Sequence, residues 1–215
     1  MTTLGIDLMS KILMIPAILI AFTFHEYAHA YVADKLGDKT PKFQGRLTLN
    51  PIAHIDPIGF IAILIAGIGW AKPVEVNPRA FKNYYKDDLK VSIAGPLANI
   101  LAAVISAAAM FLIYKIGDVF PISSRNVLYI LIRIFNTSVY INCILAIFNL
   151  IPIPGLDGFH VIRDIWPSVF YKYSDVLYRY QFVIFLLFIM TPISRILVSG
   201  PAGMIYGLIM TMFNL

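Results

Sequence analysis

Four long stretches of this chain carry at most one charged side chain: 12–24, 91–114, 134–156, and 180–215, which only Arg195 interrupts. A helix needs about 20 residues to cross a bilayer. The middle two stretches reach that length alone. The first reaches it when 6–9 before it and 25–32 after it join the same helix. The last predicts either one span with a short tail or a tight hairpin around Pro192, Arg195 and Pro201. A shorter apolar run, 57–71, has glycines and prolines near its ends. It predicts a re-entrant or interfacial segment, whose backbone must be satisfied by protein or water, and Trp70 at its end suits an interfacial level. From there 70–77 follows a β-prone pattern that Pro73 weakens. The pattern predicts an all-α polytopic membrane protein. It has a three-helix core, C-terminal helices over about 175–215, and a short re-entrant or β-like segment between the first two spans.

Composition calls for a solvent other than water. The 215 residues are 59% hydrophobic and 13% charged, against about 25% charged in soluble domains; mean hydropathy is +0.78. The net charge of +5 does not read as a nucleic-acid footprint, because the basic residues cluster between the apolar runs. Lys35, Lys39, Lys42, Arg46, Lys72, Arg79, Lys82, Lys86 and Lys90 lie between the first two spans, and Arg163, Lys172 and Arg179 follow the third. Lys11, Lys115, Arg125 and, in one arrangement, Arg195 fall on the other side. Positive-inside then puts the two richer loops in the cytoplasm and the amino terminus outside. No removable signal is expected, since the amino-terminal region is nearly neutral and no small-residue cleavage pattern follows. No repeat or linker divides the chain, so 1–215 reads as one domain. The lone Cys143 can form neither an internal disulfide nor a cysteine zinc cluster.

The candidate chemistry sits in the first span. His25-Glu26-Tyr-Ala-His29 is an H-E-x-x-H motif. Residues four apart share one helix face, so both imidazoles can reach one metal ion, and Glu26 stands beside them as a base. With 4 His and 2 Glu in 215 residues, chance placement yields the motif on the order of one time in a thousand. Ionisable groups in a span are expensive and usually functional; the alternative is a pair of hydrogen-bonded interface histidines. A catalytic zinc site needs a third protein ligand. The candidates are Asp157, His54, His160 and Glu75. Asp157 follows the inner end of the third span in FNLIPIPGLDG, at a depth similar to His25 and His29, and the prolines and glycines there can fold it back. His54 and Glu75 lie in the basic loop region, where an ordinary solvated role is plainer.

HEYAH, FNLIPIPGLDG and Ala94-Gly-Pro-Leu-Ala-Asn99, in this arrangement, resemble the site-2 protease family of intramembrane zinc metalloproteases, in a short form without a PDZ domain. Gly45-Arg-Leu-Thr-Leu-Asn-Pro51 and His54-Ile-Asp-Pro-Ile-Gly59 resemble a short bacterial or archaeal subgroup. The resemblance covers about 10–165, the expected catalytic core. It implies one Zn2+ per chain held by His25, His29 and Asp157, with Glu26 as the base. It implies Asn149 as a substrate or oxyanion contact, and Gly95, Pro96 and Asn99 as middle-helix residues that either pack closely or support the site. His54 is a further possible support residue. The implied activity is endopeptidase cleavage of transmembrane or membrane-anchored proteins in a bacterial or archaeal cell membrane. Anti-sigma factors and signal-peptide remnants are the implied substrates, and strands between the first two spans would hold a substrate extended. The active site is then expected nearer the cytoplasmic side. The competing reading is a non-enzymatic zinc-binding membrane protein or metal transporter, which would need several metal sites along a path; this chain has one histidine-rich focus.

Other positions read more simply. Arg46, Asn50, His54 and Asp56 form a polar cluster that either gates access or orders its loop. Arg133 is expected to snorkel outward. The aromatic-rich 171–188 is expected to meet lipid and the interface, or to gate substrate entry.

Overall fold

The structure, a computed structural model, describes residues 3–66, 69–117 and 125–215. Residues 118–124 and the Arg125 side chain, expected on the outer face, lie outside the described residues, as do residues 67 and 68 of the expected re-entrant run.

Helix α1 runs Thr3–Leu36. It ends where Gly37 takes φ +113, a left-handed conformation suited to glycine, and Asp38 N–H bonds back to the Ala33 carbonyl at 3.0 Å. A short helix α2, Thr40–Phe43, and a single 3-10 turn at Pro51–His54 follow. Helix α3 spans Pro57–Ala66 and is capped by Asp56, whose Oδ1 accepts from Gly59 N–H at 2.8 Å. The first ten residues of the run 57–71 are thus helical. The expected β-like segment is not a strand. Among the described residues the only pairing in this region is one antiparallel bridge, Ile55 with Ala71, and 72–77 runs on without regular structure. Pro73 and Pro78 remove the N–H donors a ladder would need.

Helices α4, Tyr84–Gly117, and α5, Arg125–Asn149, complete the core with α1. Lipid is as apolar as leucine, so helices associate in a membrane through close van der Waals packing. Small residues supply it here: Ala103 and Ala107 of α4 meet Val139 and Cys143 of α5, all at 0% exposure. The apolar run 134–156 overstated the third helix, which stops at Asn149. Pro152, Pro154 and Gly155, the last at φ +94, reverse the chain before helix α6, Asp157–Ile165. The reversal is tight: a Cβ on Gly158 would stand 2.2 Å from the Leu150 carbonyl oxygen. Arg163 ties α6 to α4 through an ion pair with Asp88, and reaches Asp164 at 2.8 Å.

The C-terminal part is neither a span with a tail nor a tight hairpin. Helix α7, Pro167–Arg179, bends by 81° into α8, Gln181–Met190. After Thr191 a 21-residue helix, α9, runs Pro192–Met212; Pro201 lies within it, and 195–199 forms a π-turn. Among the described residues, four helical stretches are long and apolar enough to cross a membrane: Met9–Leu36, Tyr84–Gly117, Asn126–Asn149 and Pro192–Met212.

Candidate metal centre

The motif helix places His25, Glu26 and His29 in the protein interior, each under 9% exposed. His25 Nε2 and His29 Nε2 approach to 3.0 Å. Asp157, the first residue of α6, brings Oδ2 to 3.2 Å from His25 Nε2 and Oδ1 to 3.3 Å from His29 Nε2. One ligand atom from each lies within 4.8 Å of the others. Among the described residues this is the one such cluster of His, Cys, Asp or Glu.

The proton positions follow from what the other ring nitrogens touch. His29 Nδ1 lies 2.8 Å from the Val91 carbonyl, which can only accept, so Nδ1 carries the hydrogen and Nε2 bears a lone pair. His25 Nδ1 lies 2.7 Å from Asn99 Oδ1, with the same consequence. Two lone pairs and a carboxylate therefore converge, an arrangement that repels itself unless a cation sits among them. Asp157 Oδ2 is buried without a hydrogen-bond partner. Zinc ligands at ~2.0–2.1 Å in a tetrahedron stand ~3.3–3.4 Å apart; the separations here are 3.0, 3.2 and 3.3 Å. Two imidazoles and a carboxylate are also a donor set zinc accepts. The residues fit a zinc ion.

Gly95 explains how α4 passes so close. A Cβ there would lie 2.4 Å from His29 Nε2 and 2.7 Å from His25 Nε2. Pro96, inside α4, has no N–H to offer the Ser92 carbonyl one turn earlier. Asn99 is fully buried and bonds His25 directly.

A cavity of about 270 Å³ opens beside the cluster. Glu26, Asn149 and His160 line it with the three clustered residues. The unstructured 72–77 strap forms another wall through Pro73, Val74 and Val76, and Val74 N–H donates to Glu26 Oε2 at 2.8 Å. Three further bonds hold the strap. Lys72 N–H donates to the His54 carbonyl at 3.0 Å, the Arg46 guanidinium bridges the Ala53 and Lys72 carbonyls, and Asn77 N–H donates to Asp38 Oδ2 at 2.7 Å.

The remaining candidates separate cleanly. His54 is wholly buried away from the cluster, with Nε2 2.7 Å from the Thr48 carbonyl, and burial pushes its imidazole below the usual histidine range. Glu75 accepts from Gln44 Nε2 on the surface. His160 shares the cavity but not the ligand cluster, and burial lowers its pKa as well. Asn149 Nδ2 donates to the Leu145 carbonyl of its own helix at 3.0 Å. Asn50 and Asp56 cap a turn and a helix, so with Arg46 the polar loop cluster orders the backbone. Arg133 lies over Tyr129 and reaches Ser10 Oγ at 3.4 Å. Sequence reasoning did not find Asn142, which donates nothing to the ligands but accepts from Asn99 Nδ2 at 2.9 Å. Its signal was available: an amide in an apolar span needs a partner.

The profile of peptidase family M50 matches residues 113–190. A Bacillus subtilis protein named "Putative zinc metalloprotease YwhC" is 41% identical over 182 residues, covering 84% of this chain and 81% of that protein. Two proteins carrying the same designation are Rip2 of Mycolicibacterium smegmatis and MJ0611 of Methanocaldococcus jannaschii. Rip2 is 29% identical over 157 residues, 71% of this chain and 56% of Rip2. MJ0611 is 33% identical over 147 residues, 66% of this chain and 64% of MJ0611. No solved structure matches the chain.

Proposed function

Since the chain belongs to peptidase family M50, the site-2 protease family, we propose that it is an intramembrane zinc endopeptidase that cleaves transmembrane or membrane-anchored proteins. The observation that carries this is the convergence of His25, His29 and Asp157, from parts of the chain over a hundred residues apart, beside Glu26 in a cavity between apolar helices. We assign one zinc ion per chain to these three ligands. When bound, the zinc polarises the scissile carbonyl and brings the pKa of water toward neutrality.

Glu26 takes the proton from the attacking water and passes it to the leaving amine. Val74 N–H holds Oε2, which leaves Oε1 as the proton-accepting atom. Asn149 turns its amide from the Leu145 carbonyl toward the oxyanion that develops on the substrate. A helical substrate hides its carbonyls, so it unwinds before attack and lies along the strap at 72–77. Val74 N–H is already engaged and Pro73 has no N–H, so the strap offers fewer donors than a regular strand edge. The basic residues between α1 and α4 and those at 163–179 support a cavity nearer the cytoplasmic face, by the positive-inside rule.

The test is cleavage of a reporter bearing an apolar helix by the purified protein in detergent. Phenanthroline should abolish cleavage and added zinc should restore it. Cleavage indifferent to the chelator sinks the reading.

A further inference from the structure

A line of buried hydrogen bonds runs from the His25 ring into the middle of the bundle, and it has a direction. It begins at Ser138 on α5, whose main-chain carbonyl can only accept; Asn142 Nδ2 lies 2.9 Å from it. Asn142 must therefore present Oδ1 at its other end. That oxygen lies 2.9 Å from Asn99 Nδ2 on α4. The second hydrogen of Asn99 Nδ2 goes to the Ala21 carbonyl of α1 at 3.0 Å. Asn99 is left with Oδ1 toward His25, 2.7 Å from Nδ1. Asn99, Asn142 and Ser138 are each 0% exposed, so no water offers an alternative partner.

We propose that Asn142 is a positioning residue for the metal centre: it locks the Asn99 amide in the one orientation that keeps a hydrogen on His25 Nδ1 and the metal-binding lone pair on Nε2. Reversing Asn99 would set its oxygen against two acceptors, Asn142 Oδ1 and the Ala21 carbonyl, and its NH2 against the His25 N–H. Reversing Asn142 in concert would set its own oxygen 2.9 Å from the Ser138 carbonyl, leaving it only the longer 3.3 Å contact with the Ser138 hydroxyl. The ligand atom of His25 is thus selected by a residue two hydrogen bonds away, on a helix that contributes no ligand itself. The inference rests on His25 being a zinc ligand.

The experiment is zinc affinity of the full chain in detergent, measured by competition with a chelating dye after the metal is stripped, alongside thermal melting of the metal-free protein. Groups that orient a ligand from the next shell are worth about 10- to 100-fold in metal affinity, and Asn99→Leu should fall in that range. Asn142→Leu keeps the branched shape in a larger side chain and removes the acceptor; because the Ala21 carbonyl still anchors Asn99, it should weaken zinc by about three- to tenfold. Asn142→Asp, kept neutral by its complete burial, donates its O–H to the Ser138 carbonyl, keeps its other oxygen facing Asn99, and should stay within about twofold of the parent. Ser138→Ala, which keeps the carbonyl at the start of the line, should do the same. Zinc affinity of Asn142→Leu equal to the parent overturns the proposal. So does an Asp variant as weak as the Leu variant, since that would mean packing alone. If Asn142→Leu shows no cooperative melting, Asn142→Ala replaces it under the same criteria. Undiminished zinc in His25→Ala overturns the ligand assignment itself, whatever the Asn142 variants do.

Discussion

Helices α1, α4 and α5 differ from α7 to α9 in what their side chains meet. Half of the apolar window of α1 is buried inside the protein, against 17% for that of α9. The core trio encloses His25, Glu26, His29, Asn99, Ser106, Ser138 and Asn142, all buried. Helix α8 turns Phe182, Leu187 and Met190 outward, Phe182 at 73% exposure. Helix α9 does the same with Ile196, Met204 and Leu208. A polar group is tolerable in hydrocarbon only where a partner is held against it. The trio provides those partners through close, small-residue contacts, so each of these seven polar side chains meets a bonding partner. Helices α8 and α9 need only be apolar, which leaves their sequence loose, and the chain breaks between α7 and α8 at Tyr180 and again at Thr191.

That contrast can be broken most forcefully at Glu26. Glu26→Gln should lower reporter cleavage by about 10²- to 10⁴-fold, the range for loss of a general base, while metal analysis shows zinc retained. Zinc lost with the activity would make Glu26 a structural residue instead. Gly95→Ala comes next. Its methyl would stand 2.4 Å from His29 Nε2, so zinc content and cleavage should fall together, and a variant that binds zinc normally would separate α4 from the site. Arg163→Ala leaves Asp88 buried without its cation, a change worth about 3–5 kcal/mol in buried pairs. It should appear as a lower melting temperature and as weaker zinc binding, because α6 carries Asp157. At the small end, Phe182→Leu should leave cleavage and melting within error, since the ring faces outward; a large loss there would give α8 a part in substrate entry.

How much was readable in advance differs between the same two regions. The first three spans were visible as apolar runs, and H-E-x-x-H on one of them put two candidate ligands and a candidate base on one stretch of helix through periodicity alone. Hydropathy misplaced the end of α5, because Leu150 to Leu156 are apolar yet form the reversal that delivers Asp157. It also left the last 36 residues undecided, since lipid-facing helices carry no periodic polar signal for a turn. From the residues alone, Asp157 competed with His54, His160 and Glu75. The structure puts Asp157 against the imidazoles and His54 under a loop carbonyl.

The sequence by itself determined the solvent, the approximate spans and the chemistry of the first helix, because hydrophobicity and a four-residue spacing are local properties. Tertiary structure decided which carboxylate meets the histidines, why α4 has glycine at 95, which backbone N–H reaches Glu26, and which amide orients His25. Those depend on distances between helices far apart in the chain. Such distances are set by how closely small residues let the backbones approach and by where Gly155 and Gly158 turn the chain.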